Sequence, residues 1–227
     1  MNNTVIFIYA RSDSSRFPNK CMSNLSGHHL IELIARRCLK VVEKHNLYLL
    51  TTDRDIDDNL ADFFFNNNFG EVIRGNAFDL VDRTSLALDI SNASSFIRVN
   101  GDCPLVDFHL LDICIDYLKN GIQLVSNIWP YRSFPYGISV EGFSRDYFDK
   151  LKTFALPHEL EHVTQHLYRL SSILPSNSIV HITNSLYDVS YKNISLAIDD
   201  VMDLKRIEKY VGDMDVLSIS FRDLLYD

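Results

Sequence analysis

The sequence predicts an α/β fold of three layers: a mostly parallel sheet with helices on both faces. Three observations predict it. The run VIFIYA (Val5 to Ala10) is apolar without alternation, as in a strand buried on both faces. Short apolar runs alternate with stretches of helical spacing, the β-loop-α repetition of parallel sheets. The chain has 227 residues, 46% of them hydrophobic, with only 8 glycines and 6 prolines. That supports a sizeable core and excludes a linker or a disordered chain.

In order along the chain, Val5 to Tyr9 reads as a central strand, and Arg11 to Gly27 as the loop after it. His29 to Val42 has a broad apolar face (Leu30, Ile31, Leu33, Ile34, Cys38, Leu39, Val42) and predicts a helix. Leu47 to Leu50 predicts a strand ending in Thr51, Thr52 and Asp53, with a helix through Leu60 and Phe64. Glu71 to Ile73 predicts a short strand, Asp79 to Ile90 a helix, and Phe96 to Val99 a strand that runs into NGDCPLVD (Asn100 to Asp107). Asp107 is placed to cap the helix carrying Leu110, Leu111, Cys114 and Leu118. Gln123 to Ser126 predicts another strand.

The rhythm changes after Asn127. The stretch IWPYRSFPYGISVEGFS is rich in aromatics and proline, and predicts an excursion from the sheet. We read residues 1–227 as a single domain with a lid or dimerisation excursion around 128–175. Ser144 is placed to cap a helix through Phe154, and Pro157 to start one running to about Leu170. Ile179 to Ile182 and Ser195 to Ile198 predict late strands, followed by a helix from about Met202 to Val211.

With 22 basic and 30 acidic residues, the net charge of −8 argues against nucleic-acid binding, which needs a broad basic surface. It leaves room for a nucleotide held by a local cluster of cations. No run of 18 apolar residues predicts a membrane span. The first segment lacks a basic leader, so it reads as strand rather than signal peptide. Cys21, Cys38, Cys103 and Cys114 form no CxxC pair, which fits free thiols in a reducing cytoplasm.

Three cations, Arg11, Arg16 and Lys20, follow the first strand within ten residues, with Ser12, Ser14 and Ser15 among them. Such a cluster suits phosphate oxygens, through the arginine fork and a mobile ammonium. The glycines and GK[ST] ending of a P-loop are absent. Asp102, beside Gly101, suits Mg²⁺ held against phosphates, and Asp199, after SLAI, offers a second carboxylate. Asp200 is placed instead to cap the last helix. Arg74 with Gly75 can approach a ligand or lie on the surface. His158, His162 and His166 share one face if their segment is helical; zinc lacks a partner there, while His162 can donate to an anionic substrate. Phe7, Tyr9 and Phe63 to Phe65 read as core.

These residues resemble the CMP-sugar synthetase superfamily, which includes the acylneuraminate and CMP-Kdo cytidylyltransferases. The likeness is closer to the spore-coat polysaccharide biosynthesis protein F branch. It rests on YARSDSSRFPNK (Tyr9 to Lys20), TTDRDIDDNLA (Thr51 to Ala61), VIRGNAFDLVDR (Val72 to Arg83) and RVNGDCPLVD (Arg98 to Asp107). VSN (Val125 to Asn127), SFPYGISVE (Ser133 to Glu141), LEHVT (Leu160 to Thr164) and IDDVMDLKRI (Ile198 to Ile207) follow in order.

The resemblance implies a nucleotide-diphospho-sugar transferase (glycosyltransferase-A-like) fold. It implies a Mg²⁺-dependent enzyme that transfers CMP from CTP to an acidic sugar, of nonulosonic or Kdo type, and releases pyrophosphate for surface-polysaccharide biosynthesis. Arg11, Arg16, Lys20 and Asp102 fall on catalytic positions. Ser12, Ser14, Arg74, Asn100 and Gly101 join Arg11, Arg16 and Lys20 on the nucleotide side, and Asp102 and Asp199 on the metal. Asn127, Gly137, Glu141 and His162 fall on the sugar side, and relatives form homodimers. The chain departs from the pattern in several places. Asp13 and Asn19 replace glycines, GHHLI (Gly27 to Ile31) lacks a proline, Tyr136 and Ser139 replace polar or acidic residues, and Val201 replaces proline. Two other readings stay open: a related nucleotidyltransferase with another base or acceptor, and a catalytically impaired nucleotide-binding or assembly protein, which Asp13 favours.

Overall fold

The structure, a computed structural model, describes residues 3–183 and 194–225. A seven-stranded sheet forms its centre. Strand β1 (Thr4–Tyr9) is fully buried; between β1 and the next sheet strand lies a small hairpin, β2 (Asn24–Leu25) with β3 (His28–His29). Strands β4 (Leu47–Thr52), β5 (Glu71–Gly75) and β6 (Ser95–Asn100) extend the sheet in parallel, in the order β5-β4-β1-β6. The sheet continues through β8 (Glu141–Ser144), β7 (Leu124–Ser126) and β9 (Ile179–His181). Only β8 runs against its neighbours.

The side-chain period of two explains the layers. Ile6 and Ile8 of β1 face one core, with α1 (Leu30–Cys38), α2 (Asp58–Asn66) and α4 (Phe108–Lys119). Val5, Phe7 and Tyr9 face the other, with α3 (Leu80–Ser91), α5 (Arg145–Leu151) and α6 (Gln165–Arg169). A last helix, α7 (Val201–Val211), adds Ile207 and Val211 to the first core. The mostly parallel sheet between two helical layers is the architecture expected.

Caps fall where the side chains offer them. Asp79, Asp107 and Ser144 accept hydrogen bonds from Asp82, Leu110 and Tyr147 amides, and Asp200 accepts from Met202 and Asp203. Arg37 of α1 is fully buried, a site the apolar pattern did not flag. Its guanidinium donates to the carbonyls of Val106, Val216 and Ile219, which ties the C-terminal segment to α1.

Four expectations need correction. Glu141–Ser144 is not part of an excursion; it is β8, paired with β6 and β7. Gly142 permits this, because a Cβ there would meet Cys114 Sγ at 2.4 Å. Residues 195–198 form no strand beyond a single bridge from Ser195 to Tyr136. Leu196 and Ile198 donate instead to the carbonyls of Tyr136 and Asp102, so loops take their hydrogen bonds. The helix expected from Pro157 is broken into a 3₁₀ turn (Pro157–Glu159), further turns and α6. The Leu160 carbonyl accepts from Leu80 at the start of α3, so a tertiary contact takes the acceptor a continuous helix would give to Thr164. His158, His162 and His166 therefore share no helix face. Finally, Phe65 is exposed, whereas Phe64 is core.

Candidate active site

A cleft of about 440 Å³ opens at the C-terminal ends of β1 and β6. Its lining includes Arg11, Ser14, Arg16 and Lys20 from the loop after β1, and Asn100, Gly101 and Asp102 from the turn after β6. The two strand ends meet closely. The Gly101 amide donates to the Tyr9 carbonyl, and a Cβ on Gly101 would lie 2.7 Å from that of Ala10. Only glycine allows the Asp102 turn to sit against β1.

Lys20 stands between two carboxylates. Its ammonium lies 3.5 Å from Asp199 and 3.9 Å from Asp102, and Arg16 approaches Asp199 at 3.2 Å. Asp199 reaches this place because the preceding residue, Ile198, donates its amide to the Asp102 carbonyl at 2.8 Å. The 96 residues between the aspartates are thus closed by one backbone bond.

The loop after β1 is held from below. Asp57, fully buried, accepts from the Ser12 amide and from the Thr52 hydroxyl. Asn19, in a glycine position of the family loop, has φ 55°, a left-handed conformation that asparagine tolerates. Asp13, at the other glycine position, accepts from Arg54 at 2.7 Å and lies 3.3 Å from Arg11. The Arg54 hydrogen bond, with the charge of Arg11, holds the Asp13 carboxyl below the usual range. Its charge is therefore already answered, by Arg11 within the loop and by Arg54 from the turn after β4.

The cleft continues past Tyr9 to Ala77, Leu80 and Arg83 of the α3 side, Arg98 of β6, Tyr136, and Glu161 and His162. Tyr9 is cleft wall as well as core: its hydroxyl is 2.7 Å from that of Thr84, and burial raises its pKa. Arg98 pairs with the buried Glu141, which accepts in turn from the Tyr168 hydroxyl at 2.8 Å. Burial disfavours the Arg98 charge, but Glu141 more than restores it, so its pKa rises.

Of the residues singled out in the sequence, Arg11, Ser14, Arg16, Lys20, Asn100, Gly101, Asp102, His162 and Asp199 come together here. Five do not line the cleft. Ser12 is buried against Asp57. Arg74 pairs with Asp58 at 2.6 Å and donates to the carbonyls of Thr52 and Arg54. Asn127 is buried, donating to Ile138 and accepting from Val140, so it folds the loop between them. Gly137, at φ 96°, packs on the backbone of Leu196 and Ala197. Glu141 supports Arg98 from behind. Sequence reasoning missed Arg83 and Arg98 as cleft residues, although Arg83 closes one quoted motif and Arg98 opens another; the signal was a charged residue inside an apolar pattern.

The cytidylyltransferase family model matches residues 5–135, more than half of the chain. The chain belongs to the cytidylyltransferase family. Its fold is similar to that of a cytidylyltransferase from Leptospira borgpetersenii, at 27% identity and a TM-score of 0.87, covering 98% of this chain and 92% of that one. An uncharacterized protein of Methanocaldococcus jannaschii is 26% identical over 96% of this chain and 87% of its own. The spore coat polysaccharide biosynthesis protein SpsF of Bacillus subtilis is 31% identical over 51% of this chain and 49% of its own. A CMP:2-keto-3-deoxy-manno-octonic acid synthetase complexed with CTP shares the fold at 16% identity and a TM-score of 0.64.

The donor set of the cleft fits Mg²⁺. Asp102 and Asp199 present hard oxygens that converge on one ammonium group, and Mg²⁺ typically takes one or two carboxylates and completes its sphere with water and phosphate. Among the described residues no cluster of three or more His, Cys, Asp or Glu gathers to hold a metal, in this cleft or outside it, so the protein's share of the ligands here is the two aspartates.

Proposed function

We propose that this cytidylyltransferase transfers CMP from CTP to the hydroxyl of an acidic sugar of nonulosonic or Kdo type, for surface-polysaccharide biosynthesis. The observation that carries this reading is the convergence of Arg16 and Lys20 with Asp102 and Asp199 beside the end of β1. Arg11, Arg16 and Lys20 bind the triphosphate and neutralise the charge that grows on the leaving pyrophosphate. For this to happen, Arg16 and Lys20 exchange their carboxylates for phosphate oxygens. Asp102 and Asp199 are the residues that would hold Mg²⁺, which when bound would supply Lewis-acid charge to the phosphates. The sugar hydroxyl oxygen forms the new bond to the α-phosphorus, the bond to the bridging oxygen breaks, and the hydroxyl proton leaves to water. His162 lies on the exposed wall, within the same cleft.

No helix among the described residues is long and apolar enough to cross a membrane. The four cysteines are free and buried, as suits a cytoplasmic enzyme. Exposed Tyr131, Phe154, Leu156 and Ile173, all within 128–175, supply apolar surface for a homodimer.

The test is Mg²⁺-dependent pyrophosphate release with CTP across a panel of acidic sugars, with ATP, GTP and UTP as controls. Release with CTP and one sugar is the expected result. A purine preference moves the assignment to another nucleotidyltransferase. CTP binding without turnover across a broad panel supports a catalytically impaired binding protein.

A further inference from the structure

We propose that Arg83 and Arg98 form an anion subsite at the α3 side of the cleft that takes the carboxylate of the acceptor. The proposal rests on the cytidylyltransferase reading above, and names the residues that would make its acceptor an acid.

Arg98 holds unspent hydrogen-bonding capacity. Arg98 gives one terminal nitrogen, Nη1, to Glu141. Its Nε is buried and has no hydrogen-bond partner among the described residues. The Nε edge of a guanidinium presents two parallel N–H donors, the fork that matches two coplanar carboxylate oxygens. An unpaired buried donor is unfavourable unless a ligand completes it. Arg98 is also held in place: Glu141 is fixed by Tyr168, whose hydroxyl is 3.0 Å from Ser126, and the guanidinium lies 6.0 Å from the Tyr9 ring centre.

Charge supplies the second part. On the loop side of the cleft every cation faces a carboxylate: Arg11 faces Asp13, and Arg16 and Lys20 face Asp199. Arg83 is only 2% exposed, and its bonds go to the Asn76 carbonyl; it pairs with no carboxylate among the described residues. Arg83 and Arg98 with Glu141 thus leave one positive charge uncompensated in the buried wall. Glu161 and His162 line the cleft as well, but both are solvent-exposed, where screening weakens their effect. A buried guanidinium bonded to a neutral carbonyl and to no carboxylate favours an anion beside it.

Calorimetry on the full chain tests this with 3-deoxy-manno-octulosonate, N-acetylneuraminate, their methyl esters and CTP. Arg98→Lys keeps a charge against Glu141 but removes the fork; Arg83→Met leaves no carboxylate unpaired. One free acid is expected to bind the wild-type protein and its ester to bind poorly. Each variant should weaken the acid by about 10- to 100-fold, the loss of a charged hydrogen bond, and leave CTP affinity unchanged. Acid binding unaffected by both variants, equal binding of acid and ester, a loss shared with CTP, or no acid binding at all overturns the subsite. Acid binding that depends on both arginines, in a protein that never binds CTP, keeps the subsite and overturns the cytidylyltransferase reaction instead.

Discussion

Asp13 shows how a single departure from a family pattern is read once its neighbours are known. In sequence it adds a negative charge to a loop meant for phosphates. In the structure Arg54 and Arg11 answer that charge. Asp13→Gly should release Arg11 and strengthen CTP binding by about two- to fivefold, the range of an exposed ion pair, as read by calorimetry. Asp102→Asn keeps the shape of the turn but halves the carboxylate set; pyrophosphate release should fall by about 10²–10³ with the melting temperature little changed. His166 is a different kind of residue. It is fully buried, both ring nitrogens lack hydrogen-bond partners among the described residues, and burial lowers its pKa to about 4. The unfolded chain therefore takes up the proton first, and stability should decline as pH falls from about 6.5 towards about 4. Glu159, lowered to about 2 by Arg169, extends the loss below about pH 4. His166→Leu should remove the first window and leave the second, measured by urea denaturation across pH.

At the scale of elements, caps and close approaches position the site. Asp200 caps α7 immediately after Asp199, so Asp200→Ala should cost about 1 kcal/mol in urea denaturation and also lower activity by loosening Asp199. Gly101→Ala would force a Cβ against Ala10 and should destabilise by about 1–3 kcal/mol. The caps at Asp107, Ser144 and Asp200 were legible because they depend on residues within one turn. β8 was not legible, because Glu141 and Gly142 look unlike a strand until Arg98 and Cys114 stand beside them. The break after Pro157 was equally hidden. It depends on Leu80, nearly eighty residues upstream, taking the Leu160 carbonyl.

For the molecule as a whole, one sheet carries both halves of the proposed chemistry. The loop after β1 supplies cations for phosphates, and the α3 side supplies Arg83 and Arg98. The net charge of −8 is compatible with this because the cations are gathered in one cleft. Light scattering should find a species of twice the 26.2 kDa chain mass, and Leu156→Glu with Phe154→Glu should halve it without unfolding the protein. A wild-type protein of single mass at working concentrations would end the dimer assignment.

The sequence by itself determined the layered α/β fold, most of the strands and helices, the loop of Arg11, Arg16 and Lys20, and Asp102 at the end of β6. These follow from local periodicity, local capping and residues close together in the chain. Tertiary structure alone decided which of the other residues reach the cleft. It brought Asp199 to Asp102 through the Ile198 amide, turned Asp13 towards Arg54, and withdrew Ser12, Arg74, Asn127, Gly137 and Glu141 into supporting contacts. Those outcomes depend on hydrogen bonds and ion pairs between distant segments, and no local pattern encodes where such partners will meet.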